Sequence, residues 1–320
     1  MRRFFRGLLV AAAVCGGATA AQADITLFSE DFDTDNSANW TTNDPGVTDI
    51  QADYFYDYSA IGVGAAPGGS TTTGLKMTAN NVNGVFGGFS VSPTGQSFTG
   101  SYRVSFNLWQ NYVGPVGPGG SGTTQLSTFG VGTSGTAGIY PGTWSESAGF
   151  AVTLDGGSAS DFRAYASSAQ ASFVEGDAAV YRAAGARNGS DAYYAGFGGE
   201  AAPAAQVGLF AGQTGTTDAG EIGFAWRNVT IDVNDVAQTA IWAIDGLEIA
   251  EINLATEALG GQNIFFGHSD SNGGISSDPN AALLNVTLID NIRVTAVPEP
   301  SALGLGLIGG VVGMFRRRRR

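Results

Sequence analysis

Apolar and polar residues alternate with period two along most of this chain, and no sustained 3.6-residue stripe competes with that pattern. Tyr102, Val104, Phe106 and Leu108 alternate with Arg103, Ser105 and Asn107, which predicts a strand with one buried face. Phe150, Val152 and Leu154 repeat the pattern and stop at Asp155-Gly156-Gly157, a turn. A strand opens at Ile25 and runs into Glu30-Asp31-Phe32-Asp33. Further strands are expected over 51–58, 75–78, 162–165, 263–266 and 284–294. Residues 114–138, rich in Gly, Ser, Thr and Pro, read as one long loop. Residues 169–220 read as loops and short strands, because glycines interrupt any helix there. Ile222, Phe224 and Trp226 alternate, and so do Val229, Ile231 and Val233; the change of parity at Arg227-Asn228 predicts a β-bulge. Asp245-Gly246 sits between two apolar runs and predicts a hairpin with a type I′ turn. So many strands at this spacing predict an all-β, two-sheet antiparallel sandwich over residues 24–296.

The two ends follow a different logic. Residues 1–23 open with Arg2, Arg3 and Arg6, continue through an apolar stretch and close on Ala21-Gln22-Ala23. That order predicts a signal peptide cut after Ala23, with Ala21 and Ala23 as the signal-peptidase site. At the other end, Val297-Pro298-Glu299-Pro300 precedes an uncharged run, 301–315, and then Arg316, Arg317, Arg318, Arg319 and Arg320. As a helix the run spans about 22 Å, short of the ~30 Å hydrocarbon core, so it predicts a weak transmembrane helix. The arginines hold their end on the cytoplasmic side. Leader and tail thus begin in the cytosol, and the body between them is exported.

Val-Pro-Glu-Pro, a short Gly-rich apolar helix and a terminal arginine cluster together resemble the PEP-CTERM sorting signal. The resemblance covers 297–320 and implies export across a Gram-negative-type envelope. It further implies processing by an exosortase-type membrane protease that recognises Pro298, Glu299 and Pro300, with exopolysaccharide as a candidate partner. The body resembles the concanavalin-like or laminin-G-like jelly roll. That likeness is carried by Glu30-Asp31-Phe32-Asp33, residues 149–154, residues 226–233, the Asp245-Gly246 hairpin and Ile289-Asp290-Asn291-Ile292-Arg293-Val294. In such folds the first and last strands pair, which would set the first of these motifs against the last.

Charge narrows the partners. With three leader and five tail arginines set aside, seven basic residues face twenty-eight acidic ones, a balance of −21 on the exported part. Such a surface argues against nucleic acid and anionic lipid as partners. Cys15 is the only cysteine and lies in the leader, so the mature chain has no thiol chemistry. His268 is the only histidine, with no evident triad partners, and reads as structural. Asp31, Asp33 and Asp35 form Asp-x-Asp-x-Asp, a candidate calcium site, although Asn36 and Thr42 stand where an EF-hand needs Gly and Glu. Tyr54, Tyr56, Tyr58, Trp109 and Trp144 are candidates for stacking on sugar rings. The expectation is an exported, non-catalytic protein of the cell envelope or extracellular matrix. The alternatives are a carbohydrate-binding, calcium-assisted module and a polysaccharide-active enzyme.

Overall fold

The computed structural model describes residues 25–46, 49–81, 86–114, 124–153, 158–270, 274 and 278–297. The leader, Pro298 to the end of the chain, and the Asp155-Gly156-Gly157 turn lie outside the described residues. Among those described, no helix is long and apolar enough to cross a membrane.

The chain forms strands β1 (Ile25–Glu30), β2 (Trp40–Asn43), β3 (Ile50–Asp57), β4 (Thr73–Ala79), β5 (Gly87–Pro93), β6 (Tyr102–Asn111) and β7 (Gln125–Thr133). It continues with β8 (Ala148–Thr153), β9 (Phe162–Tyr165), β10 (Trp226–Asn234), β11 (Thr239–Ile244), β12 (Leu247–Asn253), β13 (Asn263–Asp270) and β14 (Val286–Ala296). Two short helices, α1 (Ala204–Leu209) and α2 (Ala281–Leu284), are peripheral. One antiparallel sheet has the order β12-β11-β10-β6-β14-β4-β3, with β1 also on β14; the other has β2-β5-β13-β7-β8-β9. This is the two-sheet sandwich the alternation predicts. The Asp245-Gly246 turn has φ of 49° and 83°, the paired left-handed geometry of type I′.

The inner faces meet in a core built on Phe89, Phe106, Phe129, Phe150, Trp242 and Phe266. Phe106 packs edge-on against Phe129 at 5.2 Å and against Phe266 at 5.0 Å. A polar thread crosses this core. His268 is fully buried, and its ring contacts the Thr287 hydroxyl at 2.8 Å and Gln125 Oε1 at 2.5 Å. Gln125 Oε1 only accepts, so Nε2 carries the proton and Nδ1 accepts from Thr287. Thr287 then accepts from Ser127 at 2.6 Å, and Ser127 from Gln110 at 3.0 Å. Burial pushes the imidazole pKa down to about 3, so the ring stays neutral.

Three expectations need correction, and one strand was not foreseen. Residues 169–220 hold the short helix α1 and isolated bridges, but no strand. Residues 114–138 contain β7, a fully buried strand that glycine disguises. A Cβ on Gly130 would lie 2.4 Å from Ala148 O and 2.6 Å from a Phe265 ring carbon. The bulge at Arg227-Asn228 is absent, since β10 pairs with β6 without a break from Trp226 to Val233. The parity changes because residues 222–225 precede the strand and Phe224 sits at φ 59°. β5, with its two opening glycines, is a strand the alternation did not disclose.

Each sheet also carries an outer cluster. On the eight-stranded sheet, Trp109, Trp226 and Leu288 are covered by Tyr58, Ile61 and Val63. On the six-stranded sheet, residues 134–147 run as a strap. Asn43 Nδ2 donates to Gly135 O at 3.2 Å, and Ser90 Oγ to Ala137 O at 3.2 Å. Trp144 is buried at the strap's end, stacked on Tyr165 at 4.1 Å and 8°. Gly149 makes room for it: a Cβ there would come 2.6 Å from the indole. Trp144→Ala should therefore cost about 3–5 kcal/mol and Gly149→Val about 1–3 kcal/mol or more in urea denaturation. A loss under about 1 kcal/mol for Trp144→Ala would mean the strap is not seated as described.

Candidate functional site

Strand β14 serves two neighbours on one edge. Thr287, Leu288 and Ile289 pair with β4, while residues 292–296 pair with β1. The changeover falls on Asp290 and Asn291, where register against β6 also breaks. Asn291 takes φ 51°, a left-handed conformation that asparagine tolerates better than most residues. The expected pairing of first and last strands is present, with Glu30 opposite Ile292 and Ser29 opposite Arg293.

Beyond β1 the chain turns sharply. Phe32 adopts φ 54°, which is strained for a bulky side chain. The buried Glu30 carboxylate holds the turn, accepting from Phe32 N at 3.0 Å and Asn36 Nδ2 at 3.2 Å. The Phe32 ring packs on Trp40 at 5.6 Å. A groove of about 980 Å³ opens between β1, this turn and the loops at Pro67-Gly68 and Thr94–Gln96. Glu30, Asp31, Asn36, Asn39, Gln96 and Arg293 line it, with Phe28 and Ile292 as apolar floor. Arg293 is fixed by Thr26, whose hydroxyl accepts from Nε at 3.1 Å and Nη2 at 2.7 Å. Amides, both signs of charge and an aromatic edge in one groove can hydrogen-bond a polyhydroxyl ligand.

Behind the groove lies a carboxylate chain. Asp33 accepts from Ser70 Oγ at 2.8 Å and from the Thr71 hydroxyl. These two hydroxyls, Thr71 foremost, hold its pKa below the usual carboxylate range. Tyr58 Oη stands 3.3 Å from Thr71 O and 3.1 Å from Asp290 Oδ2. It accepts from Ala66 N at 3.2 Å. Asp290 is buried, and burial pushes its carboxyl up to about 6; Asp33 and Asp31 add to the rise. The same burial raises the Tyr58 phenol.

The Asp-x-Asp-x-Asp carboxylates are turned to separate local partners. Asp31 Oδ1 accepts from Asp33 N at 3.1 Å, and Asp35 Oδ1 accepts from Ser37 N at 3.0 Å. Among the described residues no group of three His, Cys, Asp or Glu side chains stands close enough to hold a metal ion.

The proposed sugar platform is corrected by burial. Tyr54 is buried in the central core, 5.7 Å from Trp40, with its hydroxyl 2.7 Å from that of Thr42. Tyr58 and Trp109 are buried in the outer cluster, and Trp144 is under the strap. Tyr56 is half-buried with Lys76 Nζ 4.5 Å from its ring centre. Alternation would place Tyr54, Tyr56 and Tyr58 together, but register against β4 shifts between Asp53 and Tyr56, dividing them between layers. Sequence reasoning missed Asn36, Asn39, Gln96 and Arg293 as groove residues, and Asp290 behind it. One signal was available: Ile289 and Ile292, both buried, are three apart where period two wants a spacing of two.

No protein-family model matches the chain. No curated protein matches it either. Similar solved structures include a Bacillus subtilis protein of unknown function with a galectin-like fold, at 9% identity and TM-score 0.45, covering 85% of this chain and 96% of that one. Another is an endo-1,3-beta-glucanase from Streptomyces sioyaensis, at 14% identity and TM-score 0.43, covering 88% and 100%. The carbohydrate recognition domain of Emp46p, in its potassium-bound form, has 9% identity and TM-score 0.39, covering 82% and 91%. Likeness at this level assigns neither a family nor an activity.

The raised Asp290 carboxyl makes stability depend on pH. Between about 4 and 6 the folded protein keeps a proton that the unfolded chain has released, so stability falls as pH rises through that window. Asp161, buried and likewise pushed up to about 6 by burial, acts in the same direction. Asp290→Asn should flatten part of this slope, gaining up to about 2 kcal/mol at pH 7 and little at pH 4. Urea denaturation across pH 4–7 measures it, and an unchanged slope would exclude Asp290 as the titrating group.

Proposed function

We propose that this chain is an exported, non-catalytic protein of the cell envelope or extracellular matrix, delivered and processed through its C-terminal signal. The observation that carries this reading is the position of the two ends. Ile25 pairs with Ala296, and Val297 N donates to Ser101 O at 2.9 Å, so the described chain begins and ends side by side at one end of the sandwich. A body with both exits at one end projects away from the membrane that threads them. A signal peptidase acts after Ala23, and an exosortase-type protease acts at Pro298, Glu299 and Pro300, one residue beyond the last described position. The strap filling the outer face of the six-stranded sheet fits a structural role for that face.

A second reading is carbohydrate binding, exopolysaccharide in particular. It rests on the polar groove along β1, not on the buried aromatic residues. Arg293, Gln96, Asn36 and Asn39 would hydrogen-bond sugar hydroxyls, and Phe28 would offer an edge.

Two experiments test these readings. With Pro298→Ala and Pro300→Ala together, the precursor should accumulate in the inner membrane instead of maturing; unchanged processing in a pulse-chase experiment would remove the sorting assignment. On an array of bacterial exopolysaccharides the wild-type body should bind, and Arg293→Ala should weaken binding about tenfold, the loss of one charge-assisted contact. Absence of wild-type binding would dismiss the second reading and leave the first intact.

A further inference from the structure

Five of the eleven exposed large apolar side chains among the described residues lie at the end of the sandwich where the described chain begins and ends. Val236 is 74% exposed, Ile25 56%, Val297 44%, and Leu27 and Leu259 42% each. They converge there from distant parts of the chain. Ile25 lies across from Ala296, next to Val297. Val297 N and Asp235 N both bond to Ser101, at its carbonyl and its hydroxyl, which brings Val236 alongside. A small cavity of about 120 Å³ links Asp235 and Gly100 to Leu259.

Segments 25–28, 93–102, 258–263 and 294–297 contain no charged residue. The charges beside them are Asp235, Glu146 against Gly260, and the Arg103–Asp232 pair, whose charges offset each other. Nearby Glu257 is engaged by Ser167 and Ser168 at 2.7–2.9 Å. The apolar tail, 301–315, begins four residues beyond Val297, after Pro298, Glu299 and Pro300. Four extended steps reach about 14 Å, so a membrane-inserted tail keeps this end near headgroup distance.

We propose that this end of the sandwich rests on the lipid surface while the tail occupies the bilayer, with Val236 and Leu259 entering the headgroup layer. The inference depends on the tail being membrane-inserted, as the proposed function holds. Apolar side chains at the boundary gain burial there, and the uncharged segments avoid the desolvation and repulsion that the acidic faces would meet. The surface also orients the body, because its opposite end, near α2, then points outward.

The mature chain lacks cysteine, so single labels are clean. Val236→Cys, Leu259→Cys, Leu283→Cys in α2 and Ser301→Cys in the tail would each carry an environment-sensitive fluorophore. The leader-free chain with its tail is reconstituted into phosphatidylcholine vesicles containing a headgroup-level quencher lipid. Labels at 236 and 259 should be quenched about threefold more than the label at 283, with the label at 301 quenched as the insertion control. Quenching at 301 with 236 and 259 no different from 283 overturns the lipid-resting surface alone. An unquenched label at 301 overturns the inserted tail, and this inference with it.

Discussion

The ladder along β14 is the constraint on which the rest of the molecule depends. This one strand bonds to β6 on one side and to β4 and then β1 on the other. It donates Thr287 to the buried polar thread, Leu288 to an outer cluster and Ile289 to the central core. Its change of partner at Asp290-Asn291 opens the space that β1 and the Phe32 turn border as a groove. Its last residues pair with the first strand. A single interrupted strand therefore sets the site, the pairing of first and last strands and the seam between layers.

Much of the fold was legible because its strands are half-buried in the ordinary way. β10 and the first half of β6 alternate cleanly, since one face meets the core and the other meets polar neighbours. Asp245-Gly246 announced its hairpin through the backbone geometry it needs. β5 and β7 stayed hidden because both of their faces are covered, so no alternation survives, and close approach of neighbours demands glycine. The candidate site was legible only in part. The pairing of Glu30-Asp31-Phe32-Asp33 with the closing strand could be expected, whereas Gln96 and Asn39 arrive from loops with no local signal. Aromatic residues misled most. Tyr54, Tyr58 and Trp144 look like ligand platforms in a list of residues, yet a register shift and a covering strap put each of them inside.

Burying polar groups in this core favours specificity over simple apolar collapse. The sequence from Gln110 through Ser127 and Thr287 to His268 and Gln125 connects four strands from both sheets with donor matched to acceptor. An alternative sheet register would leave several of these groups buried without partners, each costing about 1–3 kcal/mol. The thread thus penalises mispairing in a glycine-rich chain whose strands have weak local preferences of their own.

The pairing of β1 with β14 also bears on the order of events in assembly. The first strand finds its partner only when the last is available, more than two hundred and fifty residues later in the sequence. Closure of so large a loop is slow, and until it happens an unpaired hydrophobic edge stays open. If the chain is exported as proposed, it would stay unfolded until almost all of it had crossed, because its first strand has no partner before then.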